Sequence, residues 1–157
     1  MKKITPYLLF HGQAEEAARF YVSLLPDSQI DRVMYWPGDT PGAPDSEVLT
    51  VEFTFAGTQF VALNGPKASF TEAVSLQIAC ADQAEVDRLW AMLSAGGEEG
   101  PCGWLKDRWG MSWQVTPTRL LELIADPDSK RARRAMEAMM KMSKINIAEV
   151  EHAADGE

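Results

Sequence analysis

The residues of this chain that could do chemistry are most concentrated between Cys102 and Pro117. Cys102 could act as a nucleophile if a neighbouring base lowered the pKa of its thiol. Lys106 and Arg108 are the nearest cationic residues in sequence, but no histidine stands beside them to act as that base. Together with Asp107 they are expected to form a solvated turn. The pattern therefore favours an inert thiol over a nucleophile and assigns no catalytic residue.

The same stretch is predicted to form a hairpin. Asp107–Gly110 has the composition of a turn, since Gly110 can adopt backbone angles that other residues avoid. Met111–Val115 alternates like a half-buried strand. Trp113 is therefore expected to face one side of the sheet and Gln114 the other.

Composition excludes several classes of protein. The chain has 157 residues and a net charge of −8, whereas binding of nucleic acid or anionic lipid calls for a basic surface. No apolar run is long enough to span a membrane, and Tyr7–Phe10 is too short to serve as the core of a signal peptide. Two cysteines, Cys80 and Cys102, do not make a disulfide framework. A cytoplasmic protein with free thiols is expected.

The first half of the chain predicts the order strand, helix, strand, strand, strand. Apolar periodicity and turn residues set the boundaries of these elements. They are Ile4–Phe10, Gln13–Leu25, Gln29–Trp36, Glu47–Phe55 and Gln59–Leu63, with a loop at Pro37–Ser46.

The second half repeats this order. Gln-Ala-Glu begins the first helix at residues 13–15 and recurs at residues 83–85. Two modules, at about 1–66 and 72–117, are therefore expected within a single domain. The predicted elements of the second module are Val74–Cys80, Gln83–Leu93, Glu98–Gly100, Gly103–Lys106 and Met111–Thr116.

The last part of the chain, 118–157, is predicted to be a helical extension. Thr118–Ile124 has a short helical pattern, and a second helix is expected with Asp126 as its cap and Pro127 at its first position. Lys130–Met142 carries an apolar stripe on a basic helix, which favours docking on its own domain or a dimer partner over a calmodulin-like target helix. Ser143–Glu157 is acidic, and its end is expected to fray.

Several motifs of the chain occur together in one known family. They are Pro6–Phe10, Gly12–Ala17, Phe20–Tyr21, Phe60–Gly65, Cys102–Pro117, Asp126–Asp128 and Lys144–Ala148. In these motifs the chain resembles PhnB-like proteins, which are often described as 3-demethylubiquinone 3-methyltransferases and belong to the glyoxalase/bleomycin-resistance/dioxygenase superfamily, also called the vicinal oxygen chelate superfamily. The resemblance implies an α+β fold of two βαβββ modules, each an open curved sheet around a cavity, followed by C-terminal helices, and it implies a homodimer.

The resemblance also implies a divalent metal held by His and Glu side chains on the first and last strands of each module. None of the corresponding positions in this chain is His or Glu. They are Pro6, Ser75 or Leu76, Gln114, and Val61 or Ala62. The two histidines, His11 and His152, are expected to be surface residues. No metal and no other cofactor is therefore predicted.

The methyltransferase description implies binding of S-adenosylmethionine. In Rossmann-like domains that binding needs a glycine-rich turn between a parallel strand and a helix. The glycine pair of this chain, Gly96-Gly97, follows a helix instead. Methyltransferase activity is therefore not expected.

The leading interpretation is a metal-free small-molecule binding protein whose ligand the sequence does not identify. In the superfamily geometry Gln114 would face the cavity, and Trp113 would face the helices. One alternative is a metal-dependent lyase, isomerase or dioxygenase of the same superfamily with a non-standard site. Another is a dimeric scaffold without a ligand. The candidate pocket residues are Gln114, Trp104, Asn64, Tyr7 and Trp113.

Overall fold

A computed structural model describes residues 3–38, 40–41 and 47–156 of the chain. Most of the predicted loop Pro37–Ser46 lies outside the described residues. The chain forms two compact units, Met1–Ser69 and Phe70–Glu157. No helix in the described ranges is long and apolar enough to cross a membrane.

The first unit contains a four-stranded sheet and one helix. Its strands lie in the order β1-β4-β3-β2. β1 pairs with β4 in parallel, and the other pairs are antiparallel. The elements are β1 (Tyr7–Phe10), α1 (Ala14–Val22), β2 (Gln29–Tyr35), β3 (Val48–Phe55) and β4 (Thr58–Asn64). The first strand begins later than predicted, and the exposed Ile4 lies before it.

The second unit repeats this topology. Its strands lie in the order β5-β8-β7-β6, and again the first and last strands of the module pair in parallel. The elements are β5 (Ser75–Cys80), α2 (Gln83–Ser94), β6 (Glu98–Glu99), β7 (Trp104–Lys106) and β8 (Ser112–Pro117). The expected α+β fold of two βαβββ modules is thereby confirmed.

The core of the first unit lies between α1 and its sheet. Ala17, Ala18 and Tyr21 of α1 are buried, while Phe53 and Phe60 stack with ring centroids 5.5 Å apart. Small residues on the helix allow it to approach the sheet closely, and the aromatic side chains fill the remaining space.

Asn64 joins the helix of the first unit to its sheet. Its side-chain oxygen accepts a 3.0 Å hydrogen bond from the backbone N–H of Ala14, the first residue of α1. Its amide nitrogen donates a 3.0 Å hydrogen bond to the carbonyl oxygen of Val48. Because the side chain of Gln13 does not cap the helix, Asn64 satisfies a backbone donor that would otherwise lack a partner at the helix start.

Three further helices follow β8. They are α3 (Thr118–Ile124), α4 (Ser129–Met139) and α5 (Ile147–Asp155). Their apolar faces enclose a shared core, in which α4 contributes Ala135. The predicted docking of the basic helix on its own chain is therefore confirmed. The buried residues of this core are Leu120, Leu123, Ala135, Ile145, Val150 and Ala154.

Two expectations about this extension are wrong. Asp128, not Asp126, caps α4, and its carboxylate accepts hydrogen bonds from the N–H groups of Lys130 and Arg131. Asp126 instead accepts a 2.8 Å hydrogen bond from the Asp128 N–H. The acidic tail is helical rather than frayed through Asp155, because the buried Val150 anchors it to the shared core.

Candidate functional site

The sheet of the second unit has one buried face and one polar face. Leu105 of β7 lies opposite Trp113 of β8, and both are buried on the side that α2 covers. Residues directly opposite each other in a ladder share a face, so Trp104 with Gln114, and Lys106 with Ser112, lie on the other side. We call this second side the polar face. The prediction that Trp113 and Gln114 face opposite sides is confirmed.

A cavity of about 440 Å³ opens on the polar face near β6 and β7. Trp104 and Ser112 line its sheet side, and the loop 100–102 forms a second wall. Its charged lining residues are Glu72, Glu98 and Glu99, which carry carboxylates, and Lys106, which carries an ammonium group. The cavity thus combines an aromatic surface with a small set of polar groups, as small-molecule sites do.

The hydroxyl of Ser112 is the unusual group in this cavity. Ser112 is 1% exposed, and its Oγ atom has no hydrogen-bond partner among the described residues. A buried hydroxyl without a partner costs about 1–3 kcal/mol. Ser112 lines the cavity, but its Oγ atom is closed off from solvent, so a ligand would bond it only after the surrounding side chains shift.

An ion pair stands at the mouth of the cavity. The Lys106 ammonium donates to the Glu72 carboxylate, with 37% of the Lys106 side chain and 62% of the Glu72 side chain exposed. This hydrogen bond raises the pKa of Lys106 and lowers the pKa of Glu72. Because both groups are exposed, solvent weakens the pair and a ligand could exchange with either member.

The loop wall of the cavity is fixed by the C-terminal extension. The N–H of Cys102 donates a 2.8 Å hydrogen bond to the carbonyl oxygen of Met142, and the N–H of Gly103 donates a 2.7 Å bond to that of Ser143. The Ser143 hydroxyl in turn donates a 2.7 Å bond to the Gly100 carbonyl oxygen. Cys102 has a left-handed backbone, with a φ of 59°. These bonds hold that conformation in place.

The prediction that Lys106, Asp107 and Arg108 form a solvated turn is wrong for Asp107, which is buried. It is 2% exposed, and its carboxylate accepts hydrogen bonds from the N–H groups of Trp109 at 2.9 Å and Met111 at 3.1 Å. Its other oxygen accepts a 2.8 Å bond from the indole Nε1–H of Trp113. Arg108 stays outside, over the ring of Trp109 at 5.2 Å. Sequence reasoning missed this role, although an aspartate before a turn glycine is a recognised local signal.

The five candidate pocket residues fall into three groups. Trp104 lines the cavity, and the half-buried Gln114 lies on the same face, where its amide donates a 2.8 Å hydrogen bond to Ser75 Oγ. Tyr7 is 58% exposed on β1 of the first unit. Asn64 and Trp113 are buried and engaged in structural hydrogen bonds, so neither lines this cavity.

The first unit has a smaller cavity of about 240 Å³, beside β3 and β4. Glu52 lines it, and its carboxylate pairs with the guanidinium of Arg32. The pairing raises the pKa of Arg32. Arg32 and Glu52 pair with each other, and the third charged group, the Asp31 carboxylate, accepts hydrogen bonds from Gln29 and Thr54, so this cavity is the weaker candidate.

The residues present do not fit the divalent metal of the superfamily. Ser75 and Gln114, which stand at two of the implied ligand positions, hydrogen-bond to each other. No group of three His, Cys, Asp or Glu side chains suited to a metal occurs within 3–38, 40–41 and 47–156. A hydroxyl and an amide are weak donors for a transition metal. The donor set therefore supports no chemistry routed through such an ion.

The strand-to-helix turns do not fit S-adenosylmethionine either. Gly12 is the one glycine between β1 and α1, and Ala81 and Asp82 join β5 to α2 without any. A nucleotide-binding turn needs several glycines there so that the backbone can approach the ligand closely. The methyltransferase description therefore has no matching site in these turns.

The comparisons with known proteins agree with this architecture. A family model described as 3-demethylubiquinone-9 3-methyltransferase matches residues 2–116. The PhnB protein of Bacillus cereus is 32% identical, with a TM-score of 0.66 over 74% of this chain and 100% of its own. No curated protein matches the chain.

Two more distant structures show the fold alone. A protein from Pseudomonas aeruginosa is 22% identical, with a TM-score of 0.61, over 74% of this chain and 98% of its own. The fosfomycin resistance protein FosX from Mesorhizobium loti is 11% identical, with a TM-score of 0.54, over 80% of this chain and 99% of its own. From the family match and the PhnB relative, the chain belongs to the PhnB-like family described as 3-demethylubiquinone-9 3-methyltransferase.

Proposed function

We propose that the protein binds a small organic molecule in the cavity of its second unit, without a resident metal. The observation that carries this proposal is the hydroxyl of Ser112, which is buried on the cavity wall and has no partner among the described residues. A volume of about 440 Å³ is within the range of ligand pockets.

The lining of the cavity supports the same proposal. Trp104 and Pro101 offer apolar surface, and Ser112 and Lys106 offer polar groups. Apolar surface supplies most of the affinity in such sites, while a few polar groups fix the orientation of the ligand. Trp104 also gives the site a fluorescent reporter.

Substitution of Ser112 tests the proposal in two ways. Ser112→Ala should weaken ligand binding by about threefold to tenfold, as expected for one lost hydrogen bond. The ligand-free protein should be as stable as the parent or more so, because the substitution removes an unsatisfied buried hydroxyl. Ser69→Ala, at an exposed position of the first unit, is the matched control and should change neither property.

The measurement is a titration of small aromatic compounds, including quinones and dipeptides, followed by tryptophan fluorescence. Binding that Ser112→Ala weakens and Ser69→Ala leaves unchanged supports the proposal. The absence of any response across the panel would favour a scaffold without a ligand. Loss of stability in ligand-free Ser112→Ala would mean that the hydroxyl has a structural role instead.

Metal analysis of protein purified without chelator separates the proposal from a metal-dependent lyase, isomerase or dioxygenase. We expect substoichiometric metal and no thermal stabilisation by added Zn, Mn, Ni or Fe ions. This expectation follows from the described residues, which offer no cluster of the usual ligands. A stoichiometric metal that stabilises the fold would contradict the metal-free proposal.

We also propose that the protein is a cytoplasmic homodimer. Both cysteines are free, which suits a reducing compartment. Light scattering at micromolar concentration is the test of assembly, and a mass near 17.4 kDa, that of one chain, would contradict the dimer.

A further inference from the structure

The cavity of the second unit carries an excess of negative charge. Among the described residues that line it, the carboxylates of Glu72 and Glu98 stand against the single ammonium group of Lys106, and there is no arginine or histidine. Glu99 also lines the cavity, but it lies opposite Leu105 and therefore turns its carboxylate to the α2 side. A site with this charge balance attracts cations and repels anions.

The three carboxylates differ in the protein groups that they already bind. Lys106 pairs with Glu72, and Glu99 accepts a 2.9 Å hydrogen bond from the indole Nε1–H of Trp90. Glu98 lies opposite Lys106 in the β6–β7 ladder, and its carboxylate interacts electrostatically with that ammonium group but accepts no side-chain hydrogen bond within the described ranges. Glu98 is therefore the carboxylate most available to a ligand.

The aromatic surface favours the same kind of ligand. Trp104, on the neighbouring strand, lines the cavity and is half-buried. The face of a tryptophan ring attracts an ammonium group, and its apolar area also binds a hydrocarbon body. Deeper on the same face, the hydroxyl of Ser112 has no partner among the described residues.

We propose that the ligand is a small organic cation. Its ammonium group lies at the mouth beside Glu98 and Glu72, its apolar body packs against Trp104, and a polar group of the ligand bonds the Ser112 hydroxyl. This inference rests on the proposed function, since it names the chemical class that the same cavity takes.

Three probes with the same phenyl body and different charge test the inference by calorimetry. They are phenethylamine, phenethyl alcohol and phenylacetate. Phenethylamine should bind roughly tenfold more tightly than phenylacetate and more tightly than the alcohol, as expected for one exposed ion pair and one cation–π contact. High salt should reduce the difference in affinity between phenethylamine and phenylacetate, because it screens exposed charges.

Two substitutions of charged residues should move the affinity in opposite directions. Glu98→Gln should weaken binding of phenethylamine about threefold and leave that of the alcohol unchanged. Lys106→Met should strengthen binding of the amine, because it frees the Glu72 carboxylate. Glu137→Gln on α4 removes the same charge outside the cavity lining and should have no effect.

The outcomes separate this inference from the proposed function. Binding of phenylacetate or the alcohol as tightly as the amine would overturn the cation proposal and leave small-molecule binding standing. An amine affinity that Glu98→Gln and Lys106→Met do not change would also overturn it. If none of the three probes binds at millimolar concentration, both proposals fail for this cavity.

Discussion

The backbone N–H of Gly103 donates a 2.7 Å hydrogen bond to the carbonyl oxygen of Ser143. Gly103 belongs to the family domain, whose model matches residues 2–116, whereas Ser143 belongs to the helical extension that follows it. The extension therefore reaches back to the loop that forms one wall of the candidate cavity. The shape of that wall depends on residues outside the domain that the family model matches.

Gly103→Ala should be much more destabilising than a similar change at Gly110. Both glycines have positive φ, but a Cβ at Gly103 would lie 3.0 Å from the Val115 carbonyl oxygen and 3.1 Å from Ile145 Cγ1. A Cβ at Gly110 would meet nothing within 4 Å. We expect a loss of about 1 kcal/mol at Gly110 from backbone strain and about 2–4 kcal/mol at Gly103. Urea denaturation measures both, and equal losses would contradict the close contact.

Cys102 should react with a thiol reagent much faster than Cys80. Cys102 is half-buried on the cavity wall, whereas burial raises the pKa of Cys80 to about 12. At a pH near 8 Cys80 therefore holds its proton in the folded state, and the reactive thiolate is scarce. Labelling with Ellman's reagent should show one accessible thiol per chain, and Cys102→Ser should abolish it.

Thiol labelling of Cys102 also measures how firmly the C-terminal extension holds the loop 100–102, which forms one wall of the cavity. Ser143→Ala removes the 2.7 Å bond to the Gly100 carbonyl oxygen, so the loop should open more often and Cys102 should react several-fold faster. Ser69→Ala should react like the parent protein. An unchanged rate in Ser143→Ala would mean that the extension does not control the wall.

Asp107→Ala should destabilise the second unit strongly. The carboxylate serves three donors, including the buried indole N–H of Trp113, and removing it leaves them without this acceptor. We expect a loss of about 2–4 kcal/mol, with a smaller loss for Asp107→Asn, because its single carbonyl oxygen still accepts. Trp113→Phe combined with Asp107→Ala should be less than additive. Full additivity in urea denaturation would contradict the hydrogen bond between the two side chains.

Asn64→Ala should destabilise the first unit, because it removes the hydrogen bonds that join α1 to the sheet through this side chain. Its hydrogen bonds with Ala14 and Val48 are buried, so we expect a loss of about 2–3 kcal/mol. Asn64→Asp keeps the acceptor for Ala14, but it buries a carboxylate against the carbonyl oxygen of Val48, so near neutral pH it should be at least as destabilising as Asn64→Ala. An Asn64→Asp protein as stable as the parent would contradict the bond from the Asn64 amide to Val48.

The order of elements and the two faces of β8 could be predicted from the sequence, because apolar periodicity is a local signal. Trp113 and Gln114 alternate, and the structure buries one beneath α2 and leaves the other half-buried on the polar face. The repeat was equally visible, since the same run of strand and helix patterns occurs twice.

The roles of Asp107, Asn64 and Ser112 could not be predicted in this way. Asp107 and Asn64 bond to residues that only the folded chain brings close to them. The role of Ser112 depends on the lack of a hydrogen-bond partner among the described residues, which the sequence does not show. The extension was predicted to be helical, but its end was expected to fray, because the acidic composition hides the anchor Val150, which is buried only when α3 and α4 are in place.

The most direct test of ligand binding in the cavity is nuclear magnetic resonance of the indole N–H groups during titration with phenethylamine. The Trp104 resonance, assigned with Trp104→Phe, should shift saturably, whereas that of Trp113, which is bonded to Asp107 beneath the sheet, should stay in place. A Trp104 resonance that does not move at millimolar amine, or moves no more than that of Trp36 in the first unit, would contradict binding at this site.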